Sequence, residues 1–505
     1  MRVKVFPLSL RLQAEPPPAI ARWEWIAIAL VVAVALAARL PGLDSSLWYD
    51  EIVTVVTFAR LPFAQLIATF DSLNNHMFYS VLVHLSLLLF GEHAWSVRLP
   101  ALLFGLGSIV VCWLMARRAL DRWPSLLVAL LLALSFHHVW FSQNARGYTM
   151  LLFFTAASLL AFEDGLARPR WRTWTWFAVL AAAAIYTHLS AAFLYAALGV
   201  VALGLWLAAL RERRSFPFLQ LAYGGTLAIA LAVLLHLPVI AQAVHTVGSV
   251  SAKTAASGQA LAEWQNPLRA VQEIGNSLSA TNPLVPLLVV AAGFVVLVGA
   301  IGFARRQPVI LLVYLVHIPL TMLLLRLLHF RIWPRYFFTE IGFIYTLIVL
   351  GVVLIARWVA GKARLAQPDA LATWLVRGGA AAMVIVSIGL LARNYTAPKQ
   401  DFIGARDWVA QRLQPGDKVG ATGLAAFAYD RYYRPGWSEA NSLDQLHALR
   451  ASAPTSWILV AFPHQTLGAR GEVMGEIQRD FDRVATFPGT LGDGAIWVFR
   501  SKAKR

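Results

Sequence analysis

The chain has 505 residues, 59% hydrophobic and only 14% charged, a balance that excludes an ordinary soluble globule. Its formal net charge of +17 would point to nucleic acid in a soluble protein, but membrane proteins gather Lys and Arg in cytoplasmic loops, so the placement of the charge decides. A single cysteine, Cys112, sits inside an apolar run and forms no internal disulfide, which leaves the compartment unassigned by cysteine usage.

The first apolar run, residues 25–38, has the look of a signal-peptide core with small residues near Ala37 and Ala38. It is read as retained, because the polar leader before it is long, the run nearly reaches spanning length and many more spans follow. Stretches able to cross the roughly 30 Å hydrocarbon core, which takes about 20 helical residues, fall at 22–40, 94–116, 124–141, 148–164, 173–189, 191–210, 217–242, 283–304, 308–328, 335–356 and 373–392. One further apolar stretch, 77–90, is too short to span.

The positive-inside rule supports that exclusion. With Arg2, Lys4, Arg11 and Arg22 in the cytoplasm, eleven spans place Arg117, Arg118 and Arg122 inside. The clusters Arg168 to Arg172, Arg211 to Arg214, Arg305 and Arg306, and Arg357 to Arg364 fall on the same side. A crossing at 77–90 would send every later cluster outside, so this stretch is predicted to lie in the outer interface with His76 at its start. The basic charge is then a topology signal, and nucleic acid is excluded as a partner.

This reading divides the chain into a cytoplasmic tail (1–21), a membrane domain (22–395) and a soluble exoplasmic domain (396–505) of about 110 residues, a plausible domain size. The membrane domain has a first outer loop at 41–93 and a long outer loop at 243–282, which contains the amphipathic candidate AEWQNPLRAVQEIG. In the last domain, residues 402–413 and 471–481 have helical spacing. Residues 418–422, 457–462, 484–487 and 495–499 read as strands, an α/β alternation. The run GATG is too short to indicate a nucleotide site. Few ionisable residues lie near a span centre, where a coupled transporter would keep them, so the chemistry is expected at the outer surface.

Four stretches there carry a resemblance: SLWYDEIVT after the first span, NNHMFYSVLVHLSLLLFGEHAWSVRLPALLFG, FSQNARGYTMLLF and the late PRYFF. In this order they resemble the GT-C glycosyltransferases related to protein O-mannosyltransferases and lipid A aminoarabinose transferases, a family 39-like group. The resemblance covers residues 20–395. It implies a polytopic α-helical GT-C fold in a plasma (inner) membrane, with transfer of a sugar from an undecaprenyl- or dolichyl-phosphate carrier to an acceptor hydroxyl at the outer face. An inverting displacement needs a carboxylate to accept the hydroxyl proton and cations to stabilise the leaving phosphate.

Asp50 matches the family's catalytic acidic position and is expected to be the base, although an Asp here also suits a helix cap. Glu51 is kept as a substrate contact, but adjacent side chains diverge by about 100°, so both do not address one atom. His76 stands where many relatives have His followed by prolines, here replaced by Met77 and Phe78, and is a candidate sugar contact or metal ligand. Some relatives use a divalent cation and others do not, so the resemblance leaves metal dependence open. No spacing, including His137 and His138, forms a metal motif.

Asn144 replaces the more usual Glu; it can hydrogen-bond a sugar but supplies no negative charge. Arg146 offers a planar fork to the donor phosphate, against the alternative of an arginine that snorkels at the interface. Tyr148 joins the same motif as a substrate-binding candidate, although Trp48, Tyr49, Tyr148 and Trp333 also fit an aromatic belt. Arg331 and Arg335, with Tyr336, are basic residues on the wrong side for the charge rule, which favours a lipid phosphate over ordinary headgroup contact. By resemblance the long outer loop is a lid that excludes water.

A lipid or solute transporter, or flippase, is the rival reading from another class; it predicts repeats and mid-span polar sites. A silent scaffold that presents the C-terminal domain to envelope partners is a third. The motifs leave the sugar and the acceptor, whether lipid, glycan or protein, unassigned.

Overall fold

The computed structural model describes residues 18–256, 285–363 and 367–502. The first helix, α1 (Arg22–Ala37), leads to the short helix α2 (Tyr49–Val53) and then to α3 (Met77–Phe90). With 14 residues, α3 is about 21 Å long, too short for the hydrocarbon core. It ends where Gly91 takes φ +77°, a conformation L side chains rarely adopt. Two polar ties hold it to the next helix: the Tyr79 hydroxyl donates to the Val97 carbonyl at 2.9 Å and Ser86 Oγ to the Ser96 carbonyl at 2.7 Å.

The bundle continues through α4 (Ala94–Ala116), α5 (Arg122–Ala133), α6 (Phe136–Ser142), α7 (Tyr148–Ala167), α8 (Trp171–Thr187), α9 (Ala191–Arg211), α10 (Phe218–His236) and α11 (Ile240–Ala256). It is completed by α12 (Val285–Arg306), α13 (Pro308–Leu327), α14 (Ile341–Lys362) and α15 (Pro368–Ala392). Eight described helices are long and apolar enough to cross a membrane, or nine when the bent pair α5 and α6 is taken as one span. Helices α1 and α8 have 16 and 17 residues, about 24 to 26 Å each.

Three predicted boundaries differ from the structure. The span expected at 124–141 is broken into α5 and α6, bent by 58°, because Ser135 caps the second piece by accepting from the His138 amide. The outer loop expected from 243 instead continues as α11 as far as Ala256. This helix is held against the first outer loop by Gln242, which donates to the Ala68 carbonyl and accepts from the Phe70 amide. The lid candidate AEWQNPLRAVQEIG lies outside the described residues. The start of the span expected at 335 is a 3-10 turn, Pro334–Glu340, which delivers Arg335 and Tyr336 to the outer end of α14.

Beyond the bundle lies a five-stranded sheet of β1 (Lys418–Thr422), β2 (Ser438–Glu439), β3 (Ser456–Ala461), β4 (Phe481–Phe487) and β5 (Ile496–Ser501), in the order β2-β1-β3-β5-β4. Pairing is parallel on the β2-β1-β3 side and antiparallel across β3-β5-β4. The two-residue strand β2 carries no alternation and had no sequence signal. Buried Leu47, Ile52 and Tyr79 of the outer loop share one hydrophobic cluster with Phe402, Val419 and Trp457 of this domain. The sheet domain is therefore packed onto the first outer loop.

Helices α12 and α14 approach so closely that a Cβ at Gly299 would meet the Leu347 carbonyl, and one at Gly351 the Val295 carbonyl. Backbone oxygens cannot swing aside as flexible side chains do. Gly351→Val is expected to cost about 1–3 kcal/mol or more, read as a lowered Tm of the detergent-purified protein; an unchanged Tm would contradict this packing.

Candidate active site

The stretch SLWYDEIVT folds as an N-cap, Trp48, followed by α2, which puts Asp50 in its first turn and Glu51 at the third helical position. Glu51 reaches back to the Trp48 amide at 3.2 Å, as a capping glutamate does. Its two oxygens also accept from Arg98 Nε at 2.7 Å, Arg98 Nη2 at 2.6 Å and the Ala145 amide at 2.7 Å. Both side chains of this ion pair have zero exposure. Burial pushes the Glu51 carboxyl upward, but the charge and hydrogen bonds of Arg98, helped by Lys399 and the Ala145 amide, hold it below its ordinary value. Arg98 spends its remaining donors on the Leu43, Ser45 and Ser46 carbonyls.

Glu51 is thus fully occupied by protein donors, which corrects its assignment as a substrate contact. It ties α2, α4 and the SQNARGY loop together. Asp50 points elsewhere. Its carboxylate is 18% exposed and lies 3.9 Å from Arg335, whose guanidinium stacks on the Trp333 ring at 4.9 Å. Asn74 donates to the Asp50 carbonyl at 3.2 Å and accepts from Arg146 Nη1 at 2.5 Å, so one side chain and its own carbonyl link the carboxylate's backbone to the next cation.

Arg146 is buried, with 3% exposure, and makes no ion pair with a carboxylate among the described residues; its Nε has no partner. This excludes the snorkelling alternative, because the side chain is enclosed in protein. A buried guanidinium without a counter-charge is costly, and an anion would relieve it. Beside it, His76 has 2% exposure and accepts from the Gly147 amide at Nδ1, 3.0 Å away. That bond makes Nε2 the protonated nitrogen, and Nε2 is buried without a partner among the described residues. A Cβ at Gly147 would lie 2.9 Å from His76 Nδ1, so this contact needs glycine there.

The His188 ring lies 4.5 Å from His76, and its own Nδ1 accepts from the Ser190 amide at 3.1 Å, again leaving an Nε2–H. Burial, followed by Arg146 and Arg335, lowers the His188 pKa to about 3. His76 is also pushed well below its ordinary value by burial, Arg146, His188 and Arg335. Both imidazoles are neutral donors at pH 7. Tyr148, 5.0 Å from His76, and Tyr336, 6.1 Å from His188, complete the ring of side chains.

Asn144 is buried next to this cluster, where Oδ1 accepts from Trp48 Nε1 at 3.0 Å and Nδ2 is unpartnered among the described residues. The aromatic-belt reading fails for Trp48 and Tyr148, which have 5% and 3% exposure, and for Tyr49, which packs edge-on against Phe427 and Phe462 of the sheet domain. Arg331 is exposed on the segment before the 3-10 turn. Among the described residues, no three His, Cys, Asp or Glu side chains come together as metal ligands.

Sequence reasoning missed Arg98, Asn74 and His188. Arg98 was available to the argument that singled out Arg335, since it too is a basic residue on the outer side. His188 was hidden because YTHLS was absorbed into the end of a span, whereas the structure ends α8 at Thr187.

Residues 76–240 match the family model for dolichyl-phosphate-mannose-protein mannosyltransferases, about a third of the chain. Across nearly the whole length, the structure aligns with ArnT from Cupriavidus metallidurans in the apo state, covering 95% of this chain and 97% of that one at 14% identity and a TM-score of 0.51. The chain has the GT-C fold. The archaeal oligosaccharyltransferase AglB from Archaeoglobus fulgidus, solved with an inhibitory peptide and a dolichol-phosphate, aligns with a TM-score of 0.52 at 10% identity, over 94% of this chain and 74% of that one. No curated protein matches the chain by sequence. The family match begins at His76 and takes in Asn144, Arg146 and His188; Asp50 and Arg335 lie outside it.

Two outcomes follow from this geometry. Glu51→Ala leaves Arg98 as an uncompensated buried charge and is expected to cost about 3–5 kcal/mol, seen as loss of the monodisperse folded protein, whereas Asp50→Asn keeps its Tm; the reverse order would refute the division of roles. For pH, the His188 pKa of about 3 lies below the ordinary value near 6.5. Between the two, the unfolded chain binds the proton and the folded one does not, so stability falls as the pH drops below about 6.5. His188→Gln should flatten the fall in Tm between pH 7 and pH 4.5, and an unaltered slope would count against a buried neutral imidazole.

Proposed function

We propose that the protein is a glycosyltransferase that moves a sugar from a polyprenyl-phosphate carrier to an acceptor hydroxyl, with inversion, at the outer face of a plasma (inner) membrane. The observation that carries this reading is the buried Arg146, without a carboxylate partner among the described residues, beside Arg335 and Asp50. A phosphate supplies the missing counter-charge. The Nε2–H groups of His76 and His188 are further donors for its oxygens, and Tyr336 stands next to them. The reading is supported by the GT-C fold, by the dolichyl-phosphate-mannose family match and by the dolichol-phosphate bound to AglB.

In the reaction, Asp50 accepts the acceptor's hydroxyl proton as its oxygen attacks the anomeric carbon. The carbon–oxygen bond to phosphate breaks on the opposite face, and the electron pair leaves on the phosphate. Arg146 and Arg335 stabilise that developing charge in a site largely screened from water, where such interactions are stronger than in bulk. Arg335 then sits between the base and the leaving group, and its 3.9 Å contact to Asp50 keeps the carboxylate oriented.

The lipid chain has a matching path. A cavity of about 570 Å³ between α8, α9 and α10 is walled by apolar side chains, including Ile185, Tyr195, Leu203 and Ile229, and Ile185 is three residues from His188. On this reading the phosphate sits at the histidines and the isoprenoid chain runs toward this cavity. A divalent ion, if the enzyme uses one, would find the Asp50 carboxylate beside Arg335.

The purified protein should transfer or hydrolyse at least one of a panel of polyprenyl-phosphate sugars. Asp50→Asn should lower the rate by about 10²-fold or more while the protein stays folded. Inactivity of the wild type on every donor, or full activity of folded Asp50→Asn, would overturn the mechanism.

A further inference from the structure

At the end of the bundle remote from Asp50, helices α5, α14 and α15 enclose a cavity of about 1190 Å³. Its walls are apolar, formed by Leu127, Val349, Val353, Val376, Ala380 and Met383. Its rim carries Arg122, Arg357 and Arg377. Two of these have acidic neighbours: Arg122 Nε lies 3.4 Å from Glu24 and Arg357 Nη2 lies 3.2 Å from Asp121. Asp369 also lines the rim.

Arg377 differs from them. It stands nine residues into α15, about 14 Å along a helix with the length and apolarity of a membrane span. Its side chain is exposed, it makes no ion pair among the described residues, and its guanidinium lies 5.7 Å from the Trp374 ring. An arginine within a membrane-spanning helix is costly unless it faces an anion or water. Basic pockets between membrane helices on the cytoplasmic side are suited to acidic lipid headgroups.

We propose that this cavity binds an anionic phospholipid, with its phosphate against Arg377 and Arg357 and its acyl chains along the apolar faces of α14 and α15. Charge selects this occupant over the chain's own N-terminal segment, although Pro18 lines the cavity. Residues 1–17 carry Arg2, Lys4 and Arg11 against the single acid Glu15, which would add like charge to the rim. The inference is independent of the chemistry at Asp50.

The test is native mass spectrometry of the full chain, delipidated and titrated with phosphatidylglycerol or phosphatidylcholine of the same chain length. Phosphatidylglycerol should bind at least about tenfold more tightly. Arg377→Gln with Arg357→Gln should remove most of that preference, and Ala380→Trp, which fills the cavity without changing charge, should reduce occupancy by phosphatidylglycerol. Thermal unfolding of each variant distinguishes lost binding from lost folding. Equal binding of the two lipids, or an unchanged preference in the folded double variant, would overturn the proposal. Binding that appears only after residues 1–17 are removed would assign the cavity to the tail instead.

Discussion

The Glu51–Arg98 ion pair is the fixed point around which the candidate site is built. Two charges with no exposure to solvent are tolerated because their donors and acceptors are used: the carboxylate takes four hydrogen bonds, and the guanidinium spends what remains on the Gly42, Leu43, Ser45 and Ser46 carbonyls of the preceding loop. An ion pair of this kind adds little net stability over an apolar replacement, but it defines one geometry. It joins the first outer loop to α4 and to the Asn144–Arg146 segment, so Asp50 and Arg146 cannot drift independently.

The sheet domain rests on the same anchor. Gln400 accepts from the Tyr49 amide at 3.0 Å, Tyr433 donates to the Leu47 carbonyl at 2.8 Å, and Lys399 donates to the Gln143 carbonyl at 2.6 Å. Lys399 is buried, and its pKa falls to about 7 through burial and Arg98, partly offset by Glu51. The C-terminal domain is therefore part of the structure that orients α2. This physical coupling gives the sheet domain, which has no chemical motif of its own, a structural role.

Around the anchor, the polar side chains are sorted by what they lack. Glu51 lacks nothing and is structural. Among the described residues, Arg146 lacks a counter-ion, His76 Nε2 lacks an acceptor, and Asn144 Nδ2 lacks one too. Such groups are rare in a folded interior, and their gathering near one partly exposed carboxylate distinguishes a site from a packed interface.

The sequence by itself determined the membrane class, the short apolar α3 and the strands and helices of the last domain, because these follow from apolar length and local period. It also brought Asp50, His76, Arg146 and Arg335 forward, through motif order and through basic residues on the outer side. Only the tertiary structure separated Asp50 from Glu51, since adjacent carboxylates look alike until their partners are known. It alone found His188, which no local pattern sets apart, and the break at Ser135, where one side chain ends a run that hydropathy reads as continuous. Periodicity and charge are properties of the chain near each residue; the unmatched guanidinium and the satisfied one differ only in what folding brings to them from far away.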